Sequence, residues 1–143
     1  MLALGLCCYT EYWGKLLLGI EKKEKREPSE KPFNEFLYKL DGTYYRDLSG
    51  RLDKQGLSIY SNIRCGLAHA YLIEGGKSAT IDIGSKGQHG IEYDFEKSKY
   101  IFWVRAYFKE FKNAVNSYII GLEEGTEDFA KLAKALKKRP ELV

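Results

Sequence analysis

Apolar residues near the N-terminus recur at mixed steps of three and four: Leu2, Leu4, Leu6, Tyr9, Tyr12, Trp13, Leu16, Leu17 and Ile20. That spacing predicts a first helix with a broad apolar face. A charged run with two prolines follows, from Glu21 to Pro32, and reads as a solvated linker. Phe33–Leu40 predicts a short helix stopped by Asp41-Gly42, and Thr43–Gly50 a further turn or short helix. From Leu52 a longer helix is expected through Ile59, Ile63, Leu67 and Tyr71, ending at Gly75-Gly76.

The period then changes. Ala79, Ile81 and Ile83 alternate with polar residues, as do Ile91, Tyr93 and Phe95, and a glycine-rich stretch from Gly84 to Gly90 joins the two runs. This predicts a β-hairpin over about residues 79–95 with a flexible tip. The helical period returns from Lys97, with Ile101, Val104, Phe108, Phe111, Val115, Tyr118, Ile119 and Leu122 on one stripe. Gly125 should end it. A last helix is expected with Thr126 as its cap, Glu127 and Asp128 in its first turn, Lys137, Lys138 and Arg139 in its last, and Pro140 as its stop. The expected architecture is therefore mainly α: one domain over residues 1–143, a bundle of four to five helices with one inserted hairpin.

Composition narrows the function classes. Apolar residues are 44% and charged residues 30% of the 143, a balance that builds a packed core. The net charge of +3 permits nucleic-acid binding without demanding it. Three cysteines, two of them adjacent, do not form a disulfide framework and suit a reducing compartment. The N-terminal run lacks the basic segment of a signal peptide, and no stretch reaches the roughly 20 apolar residues of a membrane span. The expectation is a cytoplasmic protein with no membrane partner.

Two phosphate-loop look-alikes fail on spacing. Gly75–Ser78 follows a helix and has Tyr71 where the loop needs its first glycine. The glycines of residues 84–90 are not at nucleotide-loop intervals, and they join strands. Cys65 and His69 stand four apart on a helix, half of a zinc site with no matching second pair, so no metal and no cofactor is expected.

The remaining constellation is Ser61-Asn-Ile-Arg64-Cys-Gly-Leu-Ala-His69. On a regular helix, residues five apart differ by about 140° and rise about 7.5 Å, so Arg64 and His69 do not share a face. Either the long arginine curls partway around the helix, or the two groups act across a shared cleft, for example one between two chains. The stretch from Arg64 to His69 resembles the R-x4-6-H motif of the HEPN superfamily, and the order of helices around it is similar to that family's.

The resemblance implies a HEPN-like bundle and a metal-independent endoribonuclease acting as a homodimer on RNA. It further implies a toxin or defence effector with an antitoxin or nucleotidyltransferase partner. His69 would be the acid/base and Arg64 the phosphate stabiliser. Asn62, Ser61, Cys65 and Tyr71 would support the site or contact RNA. Active members commonly carry a polar residue directly after the arginine; here it is Cys65, a weak hydrogen-bond donor. The alternative is a non-catalytic HEPN-like module that binds RNA, nucleotide or a protein partner.

Overall fold

A computed structural model describes residues 2–20, 29–72 and 81–137, with the side chains of residues 70–72 left aside. Among these residues lie six α-helices, one π-helical turn and a small sheet. Of the linker expected over Glu21–Pro32, residues 21–28 lie outside the described residues, as do the Gly75-Gly76 stop, Ala79 and residues 138–140, while residues 30–32 are helical rather than linker.

Helix α1 (Leu2–Leu18) and helix α2 (Glu30–Leu40) pack closely. A Cβ on Gly14 would fall 1.7 Å from the Pro32 carbonyl oxygen, so only glycine lets the two backbones meet. Pro32 itself sits in the first turn of α2, where a missing N–H costs nothing. Asp41 ends α2 and caps α3 (Gly42–Asp53), its carboxylate accepting from the Tyr44 amide at 3.2 Å. Helix α3 stops at a turn with Gly56 at φ +70°, where the left-handed backbone needs no Cβ. The continuous helix expected from Leu52 is therefore broken. A separate segment begins after Ser58, a π turn over Tyr60–Cys65 that runs into α4 (Gly66–Leu72).

The sheet differs from the expected hairpin. Strands β1 (Ile81–Gly84), β2 (Ile91–Asp94) and β3 (Lys99–Trp103) run in the order β1-β3-β2. β3 pairs in parallel with β1 and antiparallel with β2. The residues read as the start of the long helix thus form the central strand. Tyr100 and Phe102 are its buried positions, and Ile101 faces the other way. The hairpin is β2–β3, turned at Ser98 with φ +50°. A lone β1–β2 ribbon would have been marginal; a third strand and a helical layer complete it.

Helix α5 (Val104–Glu124) follows β3 directly and ends at Gly125, φ +78°. Its buried residues are Tyr107, Ala114, Tyr118 and Gly121, so the inward face is displaced from the expected stripe. Phe108 is 50% and Ile119 43% exposed. Asp128, rather than Thr126, caps α6 (Phe129–Leu136), accepting from the amides of Ala130 and Lys131 at 2.8 and 3.3 Å. The core unites both layers: Phe33, Leu37, Tyr45, Leu52, Ile63, Ile91, Phe102 and Tyr107 are fully buried. Among the described residues no helix is long and apolar enough to cross a membrane.

Candidate active site at the π turn

Ser58 starts the motif segment. Its hydroxyl accepts from the Ser61 amide at 3.2 Å and donates to Glu30 at 2.7 Å. Its carbonyl accepts both the Asn62 amide (3.0 Å) and the Asn62 side-chain Nδ2 (2.9 Å). Nδ2 also reaches the Tyr100 hydroxyl at 3.3 Å, tying the turn to β3. Asn62 is thus half-buried and spent on holding the turn rather than open to a ligand. Burial pushes the Tyr100 phenol up to about 12 against the pull of that Asn62 contact.

The π turn widens the helix by its longer i→i+5 bonds, a geometry often found at functional sites. Ile63 and Leu67, before and after Arg64 in the chain, are buried. Helix α4 resumes the regular period at Gly66. Arg64 turns toward α1, where its Nε donates to Glu11 Oε2 at 3.1 Å. His69 is exposed.

Glu11 is a carboxylate 8% exposed in the middle of α1. Its second oxygen accepts from Lys15 Nζ at 3.1 Å, one helical turn on. A buried carboxylate held by two cations is costly to strip of either partner. Burial alone would pull the Arg64 guanidinium down. The Glu11 carboxylate, with Cys8 and Tyr60 nearby, outweighs it and holds the group above its ordinary value. The bond to Glu11 engages the guanidinium through Nε.

The other expected site residues divide. Ser61 and Cys65 are exposed beside the motif. Tyr60 packs edge-on against Phe33, ring centres 5.4 Å apart, on the rim of the core. Tyr71 belongs to α4, but its side chain lies outside the described residues. Cys7 is buried, with its thiol pushed far up by burial; Cys8 and Cys65 are exposed, and all three are free thiols. Among the described residues no group of three or more His, Cys, Asp and Glu could hold a metal ion.

A second cluster was not foreseen. His89, expected at a flexible tip, stacks on the Tyr44 ring at 3.6 Å and 7°. Its Nδ1 stands 3.5 Å from Glu110 Oε1 and 3.8 Å from Asp41 Oδ2. Glu110 Oε2 accepts from the Tyr45 hydroxyl at 2.5 Å and the Gly90 amide at 3.2 Å. The Tyr45 oxygen in turn accepts the Ile91 amide at 3.2 Å, while the Tyr44 hydroxyl donates to the Ile91 carbonyl at 2.8 Å. Two adjacent tyrosines of α3 thereby satisfy both backbone groups of Ile91 at the start of β2, an edge strand of the sheet. Burial drives the Glu110 carboxyl upward, against the pull of Tyr45, Gly90 and His89. The one sequence signal was the Tyr44-Tyr45 pair, a feature that core packing explains equally well.

No family model, curated protein or solved structure matches the chain.

Proposed function

We propose that the chain is a metal-independent endoribonuclease of HEPN type, with His69 as acid/base and Arg64 as phosphate stabiliser. The reading rests on one observation: Arg64 is braced by a buried carboxylate at a π turn, five residues before an exposed histidine. An arginine fixed this way can meet a phosphate without reorganising when charge builds on its oxygens. RNA brings its own nucleophile, the 2′-hydroxyl. His69 would take that proton or give one to the leaving 5′-oxygen. The products would carry a 2′,3′-cyclic phosphate or its hydrolysis product.

Because Arg64 is drawn to α1, the proposal includes a homodimer in which two motifs line one cleft. Exposed Leu2 and Tyr9 on α1, the helix that carries Glu11, supply apolar area for such a seam. A role as toxin or defence effector, with an antitoxin or nucleotidyltransferase partner, belongs to the same proposal.

The Arg64–Glu11 bond also favours a second reading, a non-catalytic module binding RNA, nucleotide or a protein, in which the pair only fixes the helix to α1. End-labelled single-stranded RNA incubated in EDTA separates the two. Cleavage by the unaltered protein, lost in His69→Ala and Arg64→Ala, is expected of the enzyme. Intact RNA with all three folded proteins would leave the binding module.

A further inference from the structure

The loop between β1 and β2 does not behave as a floppy tip. The Trp103 indole lies against it: a Cβ on Gly84 would sit 2.2 Å from the ring and one on Gly87 also 2.2 Å. The indole N–H donates to Glu92. His89 is stacked on Tyr44, and Gly90 presses on Tyr107 so closely that a Cβ would lie 2.6 Å from its Cα. The loop is therefore fixed at three places by its neighbours.

Between this loop and the first turns of α5 lies an open pocket of about 420 Å³, the size of a small-ligand site. Ser85 and Lys86 line it from the loop, Arg105, Lys109, Glu110 and Asn113 from the helix. Arg105, Lys109 and Asn113 recur every four residues and so share one helix face. Two like charges at that spacing oppose helix formation unless an anion answers them. Lys86, Arg105 and Lys109 are exposed, and among the described residues none of them has an ion pair. The single carboxylate on the wall, Glu110, is committed elsewhere, to Tyr45, Gly90 and His89. The pocket also opens at the positive end of a 21-residue helix whose N-terminus receives no side-chain cap.

We infer that this pocket binds a phosphate group, carried by a nucleotide or by single-stranded RNA. Lys86 and Arg105 grip the phosphate oxygens, Lys109 adds charge, and Ser85 and Asn113 offer neutral hydrogen bonds. The fixed loop means little ordering is needed on binding. The site is separate from the motif. Asn62 touches Tyr100 at one end of β3, and the pocket's loop wraps Trp103 at the other. Those ends are three residues apart along the strand, about 10 Å. The inference does not depend on ribonuclease activity.

Amide chemical shifts of the full chain would be followed by NMR during separate titrations with inorganic phosphate, adenosine monophosphate and a short single-stranded RNA. Saturable movement at Gly87 and Arg105 is expected. Replacing both helix cations, Arg105→Gln with Lys109→Gln, should weaken binding about tenfold or more. The same charge loss at Lys31→Gln with Lys54→Gln should leave it within about twofold. Movement with all three probes assigns the site to small phosphate compounds; movement with RNA alone assigns it to a chain. No saturable movement at the loop with any probe in the unaltered protein overturns the inference, as does equal weakening by the control pair.

Discussion

The two histidines of this chain occupy opposite surroundings. His69 stands exposed on α4, at the end of a motif whose arginine is drawn away to α1. His89 lies in a loop that carries no motif, yet it is stacked on Tyr44 and faces both Glu110 and Asp41. The surroundings assign them different work. An exposed imidazole can be reached from solvent. An imidazole flat against a phenol and flanked by carboxylates is a fastener: it holds the β1–β2 loop to α3 and α5. The comparison teaches that residue type alone does not distinguish chemistry from architecture; the partners do.

Exchanging the two tests this directly. Under the proposed ribonuclease reading, His69→Ala should reduce RNA cleavage by about a hundredfold or more. His89→Ala should do the reverse, costing about 1 kcal/mol in urea unfolding with cleavage per folded molecule unchanged. Equal loss of cleavage in both would erase the distinction.

Gly90→Ala should have the largest effect on stability, about 3 kcal/mol in thermal or urea unfolding. The added methyl meets the Tyr107 backbone and displaces the amide that Glu110 accepts. Tyr45→Phe should cost about 2 kcal/mol by the same measurement, since it leaves Glu110 and the Ile91 amide each short of a partner. Neither belongs to the motif segment, so the Arg64–Glu11 bond should persist in both.

The smallest effect is a pH dependence. Glu110 has a folded-state pKa above its unfolded value, with burial as the main cause. Its contribution to stability is therefore complete below the unfolded value, about pH 4.3, and is lost as pH rises through the folded one. Glu110→Gln, which cannot ionise, should gain on the unaltered protein across that rise. Urea midpoints measured from pH 4 upward, at about half-unit steps, would follow the gain. A constant difference between the two proteins would mean that Glu110 does not titrate in this range.

Helices were readable where apolar residues kept a period near 3.6 and a glycine marked the end, as for α1 and for α5 at Gly125, but the periodic run from Leu52 hid the break at Gly56. β3 was not, because Tyr100 to Val104 is a short apolar run that fits a strand and a helix equally. Within the candidate site, the Arg64 and His69 positions were visible as a pattern. The role of Asn62 was not: it serves the π turn through Ser58 and Tyr100, a contact 38 residues away.

The sequence by itself determined the local matters: which segments favour helix, where alternation demands strand, and that one histidine and one arginine stand five apart. Those follow from covalent spacing and side-chain period, which act over a few residues. Only the tertiary structure decided the order β1-β3-β2, the pairing of Arg64 with Glu11 across 53 residues, and the gathering of His89, Tyr45 and Glu110 around one loop. Each of these depends on which surfaces are buried together, and a buried charge or hydroxyl takes the partner that burial brings to it.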